Sequence, residues 1–169
     1  MSQSVPQPAS IHVLTVCMGN ICRSPTAQGI LEHFVAQKGL RNMVRVDSAG
    51  THGYYDAGQS PDARSQQQAR ARGYDLSAQQ ARQLLRSDFT KFDWVLVMDA
   101  KNERDARALC PPEHQHKIRL LPTFCQKLQV NEVPDPYYSD YEEFENVLDI
   151  CEDACCGFLD FLKEQHSLR

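Results

Sequence analysis

Ile11-His12-Val13-Leu14-Thr15-Val16-Cys17-Met18-Gly19-Asn20-Ile21-Cys22-Arg23-Ser24-Pro25-Thr26 decides the fold of this chain, because it reads strand, loop, helix in one short stretch. The apolar, β-branched run Ile11, Val13, Leu14, Val16 suits a strand buried on both faces. Gly19 and Asn20 tolerate unusual backbone angles, so the segment between Cys17 and Arg23 can curl with its N–H groups inward. Ser24-Pro25 signals a helix start, since Ser can cap orphan N–H groups and Pro is tolerated in the first turn. Backbone amides and the helix dipole then concentrate partial positive charge on one small volume, which favours a dianion such as phosphate. Cys17 lies at the floor of that volume. Helix N-termini and nearby cations lower a thiol from about 8.5 to about 3.5–7.5, so Cys17 is expected to be largely thiolate at neutral pH. Arg23 adds a planar fork of donors for two phosphate oxygens at once. A nucleophile below, a cradle around it and a fixed cation beside it imply displacement at phosphorus.

Blander readings compete. Cys17 and Cys22 have a C-x4-C spacing open to a metal or a disulfide, but no second Cys or His pair with ligand spacing lies nearby, and structural zinc takes four ligands. The G-x-x-x-x-G-K-[ST] pattern of a Walker loop is missing.

Cys17-Met18-Gly19-Asn20-Ile21-Cys22-Arg23-Ser24-Pro25 closely resembles the C-x5-R-S signature of the low-molecular-weight protein tyrosine phosphatases. The likeness runs from about Val13 to Leu162 and takes in Val46-Asp47-Ser48-Ala49-Gly50, Ser60-Pro61-Asp62-Ala63-Arg64, Phe92 to Asp99 and Asp135-Pro136-Tyr137-Tyr138, in family order. The resemblance implies phosphate held by the loop residues Met18, Gly19, Asn20, Ile21 and Cys22, with Asn20 fixing the loop through Ser48. It also implies an aromatic cleft wall from Tyr54 or Tyr55, between which the spacing does not choose. In many members a His near Arg72 supports Ser48 and the loop Asn; Arg in that neighbourhood is a departure.

Size and composition set the frame. At 169 residues the chain is long enough for one domain with a real core, placed at 11–169 after a flexible Ser-, Gln- and Pro-rich segment 1–10. A charge of −4 and pI near 5.8 argue against a general nucleic-acid or anionic-membrane binder, both of which need a basic face. No apolar run of membrane-spanning length and no signal-peptide order is found, so neither membrane insertion nor secretion is expected, and the protein is placed in the cytoplasm. Seven cysteines are an odd number without a disulfide framework, which fits a reducing compartment. Oligomeric state is not legible.

The expected elements alternate. A helix from Thr26 to Lys38 follows the loop, Val44-Arg45-Val46 makes a second strand parallel to the first, and Thr51 to Pro61 is loop. Asp62 to Arg72 is a helix ending at Gly73, with Arg64, Arg70 and Arg72 on a solvated face. Ser77 to Phe92 reads as short helical turns around Ala81-Arg82 and Asp88-Phe89. Trp94 to Met98 is a third strand, Lys101 to Leu109 a helix, Ile118 to Leu121 a fourth strand. The last helix, Tyr141 to Glu164, carries an apolar stripe that includes Cys151 and Cys155; Cys110 and Cys125 read as small packing residues. The sum is an α/β, single-domain, doubly wound, four-stranded parallel sheet flanked by helices, with the phosphate-binding loop after the first strand.

An aryl ester needs a proton for its leaving oxygen, and Asp135, stiffened between Pro134 and Pro136, can supply it. By itself an Asp-Pro is more often a turn; the resemblance matches Asp135 to the family's general acid. Cys17 then attacks phosphorus, Arg23 and the loop amides hold the charge, and water hydrolyses the thiophosphate with Asp135 as base, without a metal or other cofactor. Ser24 can donate to the Cys17 sulfur or cap the helix. Cys22 is expected to protect Cys17 as a disulfide under peroxide, partly on family grounds. Tyr137 and Tyr138 lie at the rim, as lining or as phosphorylation targets. The expected partners are phosphotyrosine-containing proteins or peptides. Against this stand a phosphotyrosine-binding module with little turnover, and arsenate reductase on the same scaffold, which wants a cysteine pair that residues 77 to 100 do not hold. For phosphoarginine, relatives resemble Cys-x-Gly-Asn-Thr-Cys-Arg, and Ile21 in place of Thr favours aryl phosphates.

Overall fold

A computed structural model describes residues 10–168, so all of the expected flexible segment but Ser10 lies outside the described residues. The strands β1 (Ile11–Cys17), β2 (Val44–Gly50), β3 (Trp94–Val97) and β4 (Ile118–Leu120) form one sheet in the order β2-β1-β3-β4, with every pair parallel. Around it wind α1 (Arg23–Gln37), α2 (Ala63–Ala71), α3 (Asp88–Lys91), α4 (Ala100–Leu109) and α5 (Tyr141–Gln165).

Alternation along β1 splits the interior in two. Val13 and Cys17 face a core shared with Ile30 and Leu31 of α1 and with Val147, Cys151 and Phe158 of α5. Leu14 and Val16 face a second core with Phe89 of α3 and Ala106 of α4. A strand with apolar groups on both faces must be covered on both, which is why the sequence run is continuous rather than alternating. Thr15 is the polar exception, fully buried, and its hydroxyl donates to Ser24 O at 2.8 Å, tying the first turn of α1 to the middle of β1.

Two local readings need correction. The helix begins at Arg23 rather than Thr26, with Cys22 at the N-cap and no side-chain cap. Ser24 therefore lies inside the first turn, where its hydroxyl turns to the loop instead of capping. Ala81-Arg82 is not helical: Gly50 N donates to Arg82 O at 2.9 Å, Leu84 N donates to Gly50 O at 2.8 Å, and Gly50 bridges Gln83. The segment covers the end of edge strand β2, and that pairing overrides its helix-forming composition. No helix among the described residues is long and apolar enough to cross a membrane.

Candidate active site

β1 ends at Cys17, and the next five residues turn over its C-terminal end. Asn20 sits at φ 60°, the left-handed region that Asn reaches more readily than most residues. Its side chain is fully engaged. Nδ2 donates to Ser24 Oγ at 2.8 Å and to Ser48 Oγ at 2.9 Å, and Oδ1 accepts from Arg82 N at 2.9 Å. The loop carbonyls are taken from outside: Thr51 N donates to Cys17 O (2.9 Å), His52 N to Met18 O (2.8 Å) and Asp62 N to Ile21 O (2.7 Å). Among the described residues no acceptor takes an N–H group from Met18 to Cys22. A loop whose carbonyls are used behind it and whose amides are left free, followed by an uncapped helix, is built to receive an anion. Cys17 Sγ lies 3.0 Å from Ser24 Oγ.

Arg23 is 2% exposed and only half committed. Nη1 donates to Asp99 Oδ2 at 2.6 Å and to Val133 O at 3.1 Å, while Nη2 lies 3.6 Å from Asp135 Oδ2. Nε and Nη2 make no hydrogen bond among the described residues. Burial alone would lower this guanidinium; Cys17, Asp99 and Asp135 outweigh it and raise its pKa. Asp99 is held in turn as the N-cap of α4, where its Oδ1 accepts from Asn102 N at 2.7 Å.

A cleft of about 210 Å³ opens over the loop, with Cys17, Met18, Gly19, Ile21, Cys22 and Arg23 at its base, Tyr55 and Asp56 on one side, and Asp135, Tyr137 and Tyr138 on the other. Tyr55, 71% exposed, is the wall residue; Tyr54 packs on it with ring centroids 4.5 Å apart and does not line the cleft. Asn20 and Ser24 also stand apart from the lining, buried beneath it as the loop's support. Asp135 Oδ1 accepts from Tyr137 N at 3.1 Å, which fixes the carboxyl within its loop. Burial, Asp62 and Cys17 push the Cys22 thiol up to about 12.

The arginines of α2 also depart from expectation. Arg72 does not support Ser48 or Asn20; it bonds Glu145 and Glu152 of α5 and lies 2.9 Å from Asp149. Arg64 ties Asp62 to the carbonyls of Tyr137 and Ser139. Only Arg70 faces solvent as a solvated helix would have it. Asp56, Asp99 and Arg82 were not singled out from sequence. Asp99 had a signal, since a carboxylate directly after a buried parallel strand falls on the ligand side of the sheet. Asp56, in a polar loop, had none. Cys151 and Cys155 are buried in the α5 stripe, Cys110 is buried and Cys125 half-buried.

The family model for low molecular weight phosphotyrosine protein phosphatase matches residues 12–168. The chain is 38% identical to the human low molecular weight phosphotyrosine protein phosphatase, covering 90% of this chain and 96% of that one. It is 34% identical to the low molecular weight protein-tyrosine-phosphatase YfkJ of Bacillus subtilis, covering 94% and 99%. Among solved structures it is similar to a protein tyrosine phosphatase from Entamoeba histolytica, with a TM-score of 0.90, 37% identity, and 93% and 99% of the two chains covered.

Proposed function

The chain belongs to the low molecular weight phosphotyrosine protein phosphatase family, a family of hydrolases, and from that membership we propose that it hydrolyses phosphotyrosine and small aryl phosphates through a cysteinyl-phosphate intermediate. The observation that carries the reading is the convergence of Cys17, free loop amides, the open edge of Arg23 and the Asp135 carboxyl on one cleft.

The geometry supports the following steps. Phosphate seats on the amides of Met18 to Cys22, with Nε and Nη2 of Arg23 reaching two of its oxygens. Cys17 Sγ attacks phosphorus, the P–O bond to the aryl group breaks, and Asp135 gives its proton to the departing phenolate. Amides fixed before the reaction need no rearrangement as charge moves onto the equatorial oxygens. Water then attacks phosphorus as Asp135 takes its proton, the S–P bond breaks, and the Cys17 thiolate leaves with Ser24 Oγ, 3.0 Å away, donating to it. Tyr55 and Tyr137 flank the path of a planar ring, which favours aryl over alkyl esters. No step calls for a metal.

The test is the pH profile of aryl phosphate hydrolysis, with a chelator present, for the parent, Cys17→Ser and Asp135→Asn. Turnover that survives the chelator, vanishes in Cys17→Ser and falls by about 10²-fold or more in Asp135→Asn is expected. Activity retained in Cys17→Ser would refute the nucleophile; phosphotyrosine binding without turnover in the parent would make the protein a binding module.

A further inference from the structure

We infer that Arg64 is a positioning residue for Asp135, a strut that sets the proton-donor loop against the phosphate-binding loop; the inference rests on the roles proposed above for Cys17 and Asp135. Arg64 stands in the first turn of α2, beside the N-cap Asp62. Its guanidinium grips that carboxylate with Nε at 3.1 Å and Nη2 at 2.9 Å, and its backbone N–H adds a third bond at 2.8 Å. Asp62 is itself fastened to the phosphate loop, because its own N–H donates to Ile21 O at 2.7 Å.

The other edge of Arg64 crosses to the Asp135 loop. Nη2 donates to Tyr137 O at 2.9 Å and Nη1 to Ser139 O at 3.4 Å, and the guanidinium carbon Cζ lies over the Phe144 ring, 4.6 Å from its centroid. Tyr137 N then donates to Asp135 Oδ1 at 3.1 Å. A continuous path runs from the loop that holds phosphate, through Asp62 and Arg64, to the carboxyl that gives the proton. Among the described residues no other side chain from outside the segment hydrogen-bonds to residues 136–140; the remaining bonds there, such as Ser139 N to Pro136 O, are local. Before Asp135 the loop is held at Val133, whose N–H donates to Met98 O at 2.8 Å and whose carbonyl accepts from Arg23 Nη1 at 3.1 Å; after Asp135, Arg64 is the anchor, since Pro136 stiffens that stretch without placing it. The task needs a planar fork that serves a carboxylate on one edge and carbonyls on the other while stacking on an aromatic ring, which a lysine point charge cannot do.

A role confined to stability and a role in placing Asp135 separate by leaving group. A poorly acidic phenol needs the proton from Asp135, whereas a nitro-substituted phenolate departs with little help. kcat/KM for phenyl phosphate and for 4-nitrophenyl phosphate would be measured for the parent, Asp135→Asn, Arg64→Ala, Arg64→Lys and the double variant Arg64→Ala/Asp135→Asn. Arg64→Ala is expected to lose about 10- to 100-fold on phenyl phosphate, part of the roughly 10²–10⁴-fold a general acid supplies, and about threefold or less on the nitrophenyl ester. Arg64→Lys, whose stem still covers Phe144 and keeps the fold, falls between. On phenyl phosphate the double variant should be no slower than Asp135→Asn alone, as for two groups acting through one. Equal losses on both esters, or additive losses in the double variant, would overturn the strut while leaving the catalytic reading intact. A parent enzyme indifferent to Asp135→Asn would overturn both.

Discussion

Asn20 holds the phosphate-binding loop in shape, and its removal separates a backbone effect from a side-chain effect. Replacing it with Ala deletes three hydrogen bonds, two buried ones to Ser24 and Ser48 and a partly buried one to the backbone N–H of Arg82. At about 1 kcal/mol each, they are worth about 3 kcal/mol, because their partners are left without replacements. Ala must also sit at φ 60°, which adds about 1–2 kcal/mol that Gly avoids. Asn20→Ala should therefore destabilise the protein by about 4–5 kcal/mol and Asn20→Gly by about 3 kcal/mol. For a chain of this size each kcal/mol lowers Tm by about 2–4 °C, so the two variants should melt several degrees apart. Urea unfolding in phosphate-free buffer reads the free energies. Inhibition by inorganic phosphate and kcat/KM on an aryl phosphate read the loop, where a shift of about 1 Å costs about 10²-fold. If Asn20→Ala unfolds within about 1 kcal/mol of the parent, the network is not what fixes the loop; if Gly is no better than Ala, the left-handed backbone angle carries no cost.

Two further outcomes follow from single side chains. With its thiol pushed to about 12, mainly by burial, Cys22 holds only about one thiolate in 10⁵ at pH 7, so iodoacetamide should modify Cys17 first. Peroxide should take Cys17 to a sulfenic acid with which Cys22 condenses, losing water, and peptide mass finds the Cys17–Cys22 link; its absence refutes the protective pair. Asp153 accepts N–H bonds from Gln126, Lys127 and Leu128, which outweigh its burial and hold its carboxyl below the usual range. A depressed folded pKa contributes stability above the unfolded value of about 3.9 and loses it as pH falls through the folded value. Asp153→Asn should flatten that acid limb of the unfolding curve, and an unchanged limb counts against the assignment.

What the sequence made legible is what burial on two faces forces. The runs at Ile11 to Val16 and Trp94 to Val97 could hardly be anything but central strands, and the α5 stripe could only be a helix lying on a core. The misreadings share a different cause: partners distant in sequence. Residues 79–83 have good helix formers, but the open end of β2 claims their backbone. Arg64 and Arg72 sit on a helix whose polar pattern looks solvated until α5 brings Glu145, Asp149, Glu152 and Phe144 against it. The choice between Tyr54 and Tyr55 hangs on the phase of the short 3-10 turn Gly53–Asp56, which no periodicity fixes. Ser24 was split between two roles because a hydroxyl two residues further back, at the N-cap position of Cys22, would have been a cap.

Arg23 explains why the cleft lies where it does. β1 and β3 are neighbours in the sheet, yet the chain leaves β1 toward β2 on its other side, so their C-terminal ends border a crevice that no direct connection covers. Arg23 follows β1, Asp99 follows β3, and Val133 returns from beyond β4; the bonds joining them span 76 and 110 residues of sequence. A buried guanidinium is costly unless paired, and Nη1 is paired twice, so one edge of the fork is anchored by the fold itself. The opposite edge, Nε and Nη2, is left to the cleft. Were both edges satisfied internally, Arg23 would be a structural ion pair with nothing to offer a ligand. Were neither satisfied, its direction would not be fixed. Half-commitment alone gives a cation that is both aimed and available, and only a sheet whose strand order reverses at this point can bring its two distant anchors to the strand that ends in Cys17.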